Sequence, residues 1–386
     1  MEHVDVLVVG GGLIGLSLAA ALRDSPLKVT VVDQQPMPSV PELHAKTREG
    51  YALRSGINPR VSALGITSWN FLNKIGGSIS STCYDDVEVW DSGTGRVDFG
   101  AGEVLGYIVE NNRLAAALIE KAGQSIHWAI ELTDIEKVDD GYRVSAGDLS
   151  WHTRLLVGAD GSNSAVRKLA GFPALHWRYD QKGIVTTIET EKPHGNIARQ
   201  WFTDSGVLAF LPLADDHLCS IVYSTSDADC VLTLDEAAFS ERLGILSEHA
   251  LGRVLGIDKR FSFPLQQQHS LSYVAPGLAL IGDAAHTIHP LAGQGANLGL
   301  GDAASLSVVI KQAKLEGRSP GDLAMLKRYQ RERIKDNVAT ATLMEMLYRG
   351  FGSENPGAKW LRSKGMKIVD DSPLLKSMIK RFATSR

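Results

Sequence analysis

The sequence predicts an α/β fold: a domain built on a parallel sheet, interrupted by a mostly antiparallel β-sheet domain and followed by a helical tail. Three observations carry this. Short apolar runs at 5–9, 155–157 and 278–281 each lead into a glycine-containing turn, at Gly10-Gly11-Gly12-Leu13-Ile14-Gly15, Gly158-Ala159-Asp160-Gly161 and Gly282-Asp283-Ala284-Ala285-His286. Between 183 and 223 the pattern shifts to short alternating strands. From 294 onward the apolar spacing is helical.

The elements follow in order. Residues 5–9 read as a buried strand, 13–22 as a helix and 28–33 as a second strand ending in Asp33, which makes a compact βαβ unit. Residues 36–58, rich in Pro, Gly and charge, read as a loop, and 60–72 as a helix. Strand character returns from 87 to 99 around a turn at 91–95. A helix at 112–122 precedes short strands near 126–132, 134–138 and 142–145. The run 155–157 leads to Asp160 and a helix near 164–170. The β-rich block holds strands near 184–190, 198–202, 206–211 and 217–223, then a helix near 234–243. Strands near 261–265 and 278–281 return to the first domain, and helices span 294–313 and 322–348. The expected division is 1–75, 105–175 and 262–320 for the first domain, 76–104 and 176–261 for the second, and 321–386 for the tail.

Composition narrows the classes. The chain has 386 residues, enough for a large core and two or three domains, and an ordinary globular balance of apolar and charged residues. A net charge of −4 argues against a nucleic-acid surface. Cys83, Cys219 and Cys230 form no CxxC pair or metal cluster, so no metal is expected and a reducing, cytoplasmic setting is. The N-terminus lacks the basic and apolar regions of a signal peptide. No uncharged apolar run reaches the ~18 residues of a membrane span.

Gly10-x-Gly12-x-x-Gly15 stands between a strand and a helix, the context that a Rossmann-like dinucleotide site requires. Gly10 permits the tight turn, Gly12 the close approach of a pyrophosphate, and Gly15 the packing of helix on strand. Asp33, about 20 residues on, suits a ribose hydroxyl. NAD and FAD both satisfy this unit. The later turns select FAD: Gly282-Asp283 places a carboxylate for ribityl hydroxyls, and the helix after Gly295 begins where an isoalloxazine ring abuts it, its N-terminus favouring negative charge on the ring.

Gly158-Ala159-Asp160-Gly161-Ser162-Asn163-Ser164-x-x-Arg167 resembles the central motif of the single-component flavoprotein aromatic hydroxylases, and Gly282-Asp283-Ala284-Ala285-His286-x-x-x-Pro290 their second flavin motif. The run from His286 through His289, Pro290, Gly293, Gln294, Gly295, Ala296 and Asn297 to Gly299 resembles the narrower group of ubiquinone-biosynthesis hydroxylases. So do Gly106–Leu114 and Arg60–Leu64. One departure is Gly301 before Asp302, where that family commonly carries arginine.

The resemblance implies an FAD-dependent monooxygenase: NAD(P)H reduces the flavin, O2 reacts to give a C(4a)-hydroperoxide, and the ring of a polyprenylated phenol or quinol is hydroxylated. No second glycine fingerprint follows a strand, so NAD(P)H is expected to bind transiently against the flavin. Gly10, Gly12, Gly15, Asp33, Asp160, Gly282 and Asp283 are the expected FAD contacts, with Arg60 and Arg113 at the pyrophosphate or ribityl chain. Pro290, Gly293, Gln294, Gly295, Ala296 and Asn297 would lie along the ring. His286, His289 and Pro290 would border it, with His289 donating a hydrogen bond or relaying the phenol proton; capping or packing of the turn is the other reading for both histidines. Trp201, Phe210, Pro212 and Tyr223 are candidate substrate walls, as aromatic faces on neighbouring strands; packing in the core is the other reading, and the commoner one for at least half of such aromatics.

Residues 359–386 interleave Lys and Arg with apolar side chains. A basic amphipathic helix of this kind lies on an anionic membrane, packs on its own protein or docks a partner. The expected location is therefore cytoplasmic, with peripheral contact at the inner membrane face. Two other functions stay open: a related hydroxylase or epoxidase acting on another aromatic or lipid-like compound, and a flavin-bearing structural member of a membrane-associated complex.

Overall fold

The computed structural model describes residues 1–38, 47–76, 80–91, 95–100, 102–123, 125–288, 293–351 and 371–372. The basic run at 359–386 thus lies almost wholly outside the described residues.

Buried strands Glu2–Val9 and Val29–Val32 pair in parallel. Leu149–Gly158 joins the other side of Glu2–Val9, and Leu278–Leu280 joins Leu149–Gly158, both again in parallel. Ser125–His127 adds beside Val29–Val32, while the hairpin of Leu132–Val138 and Gly141–Ala146 pairs antiparallel with the first half of Leu149–Gly158. The register sets Val9 beside Gly158, and Gly158 beside Leu280. Three turns far apart in sequence therefore leave the sheet side by side at its C-terminal edge, where open α/β sheets bind ligands.

What holds that edge is apolar burial. Val6, Leu7, Val8, Leu155, Leu156, Val157, Leu278 and Leu280 are fully buried, each contributing about 1.5–3 kcal/mol by leaving water. Helix Leu13–Leu22 packs between helices Asn111–Ala122 and Gln294–Leu315, so almost all of its residues are apolar and buried. Helix Leu323–Phe351 packs on Gln294–Leu315. Among the described residues, no helix is long and apolar enough to cross a membrane.

The second sheet runs Thr47–Glu49, Ala52–Arg54, Val254–Ile257, Ala174–Thr190, Leu218–Thr225, Gly206–Pro212, Ile197–Thr203, Asp86–Asp91, Gly95–Asp98. Phe261–Ser270 also pairs with Ala174–Thr190 and carries His286–Thr287 on its other side, which joins this sheet to the third turn.

Two expectations fail. Residues 60–72 are not one helix: Val61–Gly65 is a strand paired antiparallel with Gly106–Glu110, and the helix is Ile66–Gly76. Tertiary pairing overrides the helical spacing there. The stretch 36–58, read as loop, contains the hairpin of Thr47–Glu49 and Ala52–Arg54 at the edge of the second sheet.

Candidate active site

The first turn is built by contact between backbones. Gly10 has φ +116°, and a Cβ there would stand 2.2 Å from the carbonyl oxygen of Ala159. A Cβ on Gly15 would lie 2.0 Å from the Gly10 oxygen. These two glycines are demanded by the protein itself. Gly12 is different, because a Cβ there would meet nothing within 4 Å, and the residue lines a large cavity. The helix Leu13–Leu22 starts at Gly12 with no side-chain cap, leaving its first N–H groups for an anion. Asp33 is fixed beside them: its Oδ2 accepts from the Gly11 N–H at 2.5 Å and its Oδ1 from the Gln35 N–H at 2.6 Å.

In the second turn, Asp160 Oδ2 accepts from the N–H groups of Ala165 (2.6 Å) and Val166 (3.1 Å), capping the short helix Ala165–Leu169. Its Oδ1 is buried with no partner among the described residues. Burial raises the Asp160 carboxyl, against the opposing hydrogen bonds of Ser164 and these amides. A buried acceptor left unpaired is costly, so this oxygen calls for a donor from a ligand. Arg167, buried, donates to the carbonyls of Ser162 (2.7 Å) and Ala284 (2.9 Å), and so bolts the second turn to the third.

Asp283 opens into the same cavity, where its carboxylate has no hydrogen-bond partner among the described residues. It is exposed to the cavity yet enclosed by protein, and this removal from bulk water pushes its carboxyl up, with His286 opposing and Asp302 adding.

His286 does not reach the cavity wall. Its Nε2 lies 2.5 Å from Asp302 Oδ2, and the ring is buried. Asp302 Oδ2 also accepts from the Gly282 N–H at 3.0 Å, and its Oδ1 from Arg333 Nε at 2.9 Å and Asn337 Nδ2 at 3.1 Å. Burial opposes the charge on Asp302, but His286 and then Arg333 outweigh it and hold the carboxyl below its ordinary value. A Cβ on Gly301 would stand 2.7 Å from Arg333 Nη2. The glycine that departs from the family's arginine is thus the space through which an arginine from another helix reaches Asp302.

The remaining expected contacts divide. Arg60, Gly293, Gln294, Gly295 and Ala296 line the cavity, Gly293 in a left-handed conformation at the start of Gln294–Leu315. Asn297 turns away: its Oδ1 accepts from the Gly65 N–H at 2.9 Å and its Nδ2 donates to the Ala63 carbonyl at 2.8 Å, tying the helix to Val61–Gly65. Arg113 does not line the cavity; its guanidinium pairs with Glu110 at 2.9 Å. His289 and Pro290 lie outside the described residues.

The substrate-wall reading chose the wrong face of the second sheet. Trp201, Phe210 and Tyr223 are fully buried in a core with Ile184, Phe239 and Leu243. Trp201 stacks on Trp90 at 4.8 Å, and Pro212 shares the parity of Phe210. The cavity, about 1160 Å³, is walled by the alternate residues Ala198, Gln200, Val207, Ala209, Val222 and Ser224. It is continuous from this aliphatic face to Gly12, Asp283 and the N-terminus of Gln294–Leu315.

The FAD binding domain family matches residues 3–345. The chain is 32% identical to the 3-demethoxyubiquinol 3-hydroxylase of Escherichia coli, over 99% of this chain and 98% of that one. It is 32% identical to the ubiquinone hydroxylase UbiL of Rhodospirillum rubrum, over 98% and 89%. The chain belongs to the ubiquinone-biosynthesis hydroxylase family of FAD-dependent monooxygenases. Among solved structures it resembles PqsL, a probable FAD-dependent monooxygenase from Pseudomonas aeruginosa, with TM-score 0.76 at 22% identity over 95% of this chain and all of that one. The p-nitrophenol 4-monooxygenase PnpA of Pseudomonas putida superposes with TM-score 0.76 at 17% identity, over 100% of this chain and 99% of that one.

The protein is thus an FAD-dependent aromatic-ring monooxygenase, and its residues suit the cofactor. Gly12 leaves room for a pyrophosphate, Asp160 holds an orphaned acceptor, and Asp283 presents a free carboxylate. Sequence reasoning missed Arg167 as a brace, although it stood in the quoted motif, and Arg333 with Asn337. The only local signal for that pair was the glycine before Asp302.

Proposed function

We propose that this enzyme hydroxylates the aromatic ring of a polyprenylated phenol or quinol intermediate of ubiquinone biosynthesis. The overall change is ring C–H plus O2, NAD(P)H and a proton giving ring C–OH, water and NAD(P)+. FAD, when bound, supplies the redox chemistry, taking the electrons of the nicotinamide and delivering one oxygen atom to the ring.

The observation that carries this reading is the single cavity that joins the three glycine turns to an aliphatic sheet face. Gly12 and the helix behind it would take the pyrophosphate, and Asp33 a ribose. Asp160 would accept one donor at its free oxygen, and Asp283 would accept ribityl hydroxyls. The N-terminus of Gln294–Leu315 would face the ring and favour negative charge there. Val207, Ala209 and Val222 would exclude water from the ring and its prenyl tail. His289 and Pro290 enter the proposal from their motif as groups at the ring edge. Peripheral membrane contact through 359–386 enters it from composition and from the hydrophobicity of the substrate.

The test is turnover. FAD-reconstituted protein, NADH or NADPH and a short-chain 2-prenylphenol should give a hydroxylated product by mass spectrometry, with nicotinamide oxidation stimulated by the phenol. A protein that holds flavin yet forms no product from such phenols contradicts the reading.

A further inference from the structure

On the three neighbouring strands Ile197–Thr203, Gly206–Pro212 and Leu218–Thr225, the cavity-facing residues Ala198, Val207, Ala209, Leu211 and Val222 are aliphatic and two, Gln200 and Ser224, are polar. Gln200, on Ile197–Thr203, pairs with Ala209, which pairs with Val222. Ser224, on Leu218–Thr225, pairs with Val207. Both Gln200 and Ser224 line the cavity. Ser224 is 4% exposed. Neither the Gln200 amide nor the Ser224 hydroxyl has a hydrogen-bond partner among the described residues. The two strands are separated by one other and the positions are offset by two residues, so the pair stands about 12 Å apart across the side chains of Val207 and Ala209. Both open into the cavity, so a ligand that displaces water from this wall must replace the hydrogen bonds that the water gave them.

The three strands that carry Gln200 and Ser224 present no free cation to a carboxylate on this face. The arginines that contribute to the cavity lining are Arg60, Arg178 and Arg199. Arg199 is spent on Glu88 at 2.9 Å and on the His194 carbonyl at 2.7 Å, on the opposite parity from Gln200. Arg60 precedes Val61–Gly65, on the cofactor side, and is exposed. Arg178 lies where the cavity meets a second pocket beside Asn163. No described cation stands on the Gln200–Ser224 face. A carboxylate buried there would lose its hydration without an ionic partner.

We propose that Gln200 and Ser224 hold the polar substituents of the substrate ring, and that they select a ring bearing uncharged oxygens, hydroxyl or methoxy, over the same ring bearing a carboxylate. This rests on the hydroxylase reading and adds the head group that the site accepts. Gln200 both donates and accepts, and Ser224 does the same through one hydroxyl, so a phenol and an ether oxygen each find a partner. A site built to bond such groups discriminates sharply, because the wrong ring leaves its polar groups unpaired.

The experiment uses the FAD-loaded enzyme with two probes of equal tail, 2-farnesylphenol and 3-farnesyl-4-hydroxybenzoate. Binding is read from perturbation of the flavin absorbance, and turnover from product. The phenol should bind at least about ten-fold tighter than the acid. A single phenol oxygen reaches one of the two groups, so at least one of Gln200→Leu and Ser224→Ala should raise the phenol KM about five- to ten-fold, with FAD content and thermal stability kept. Gln200→Arg should move the preference toward the acid, a change that a merely structural role would not give. Wild-type preference for the acid, or unchanged phenol KM in both truncations, overturns the proposal. If neither probe binds or turns over in the wild type, the hydroxylase reading falls and this one with it.

Discussion

Arg333 reaches the carboxylate of Asp302 from a separate helix, its Nε 2.9 Å from Oδ1, through the gap left by the missing side chain of Gly301. Asp302 also takes the Gly282 N–H and the His286 ring, so this buried ion pair sets the third turn from behind.

Removing Arg333 therefore leaves a buried carboxylate short of its cation. Arg333→Ala should cost about 3–5 kcal/mol of stability. Arg333→Ala combined with Asp302→Asn should recover part of that loss. Equal melting temperatures for Arg333→Ala and the wild type would contradict the account. The acid side of the stability curve has a definite sign. Because the folded-state pKa of Asp302 is depressed, its contribution is present above the unfolded carboxylate value, about 3.9. It is lost as pH falls through the lower folded value.

The glycines of the first turn separate fold from function. Gly12→Ala should leave the FAD-free protein within about 1 kcal/mol of wild type, because a Cβ there meets no protein atom within 4 Å, and should weaken flavin retention. Gly15→Ala should destabilise the protein by about 1–3 kcal/mol or more, since the new methyl runs into the Gly10 backbone. Calorimetry beside flavin content on the same samples checks both.

Asp283 should make FAD binding depend on pH. Hydroxyl donors favour the ionised carboxylate, whereas enclosure by the protein favours the neutral one. FAD uptake then releases a proton, and affinity rises as pH climbs through the raised value of the FAD-free protein. Asp160, raised by the same cause, adds to the slope. Asp283→Asn should weaken FAD about ten-fold or more and flatten the pH dependence. An unaltered dissociation constant and slope would remove Asp283 from the ribityl contacts.

On the second sheet, Phe210→Ala should cost about 3–5 kcal/mol as a core cavity. It should leave the choice between phenol and acid substrates unchanged. A switched preference without loss of stability would return the aromatics to the substrate wall.

The parallel sheet and its three turns were legible because each turn follows a buried strand and opens on glycine, with a carboxylate inside the second and third turns and Asp33 at the end of the next strand for the first. The face of the second sheet was not. Strand alternation separates Trp201 and Phe210 from Gln200 and Ala209, yet both sets are compatible with a buried surface. What decides is helix Glu236–Leu246, which packs on the aromatic side and fills it. The small residues face the cavity, and among the described residues no element covers them. Val61–Gly65 was hidden for a related reason, its partner Gly106–Glu110 lying far along the sequence. Asn297 read as a ring contact because it sits in the motif, whereas its side chain is taken by Gly65 and Ala63.

In the proposed function, flavin-activated oxygen meets an aromatic ring inside the cavity. Turnover of 2-farnesylphenol by the FAD-loaded enzyme under heavy-isotope dioxygen tests it most directly. One labelled oxygen should appear in the hydroxylated ring. A product whose new oxygen comes instead from labelled water would contradict it.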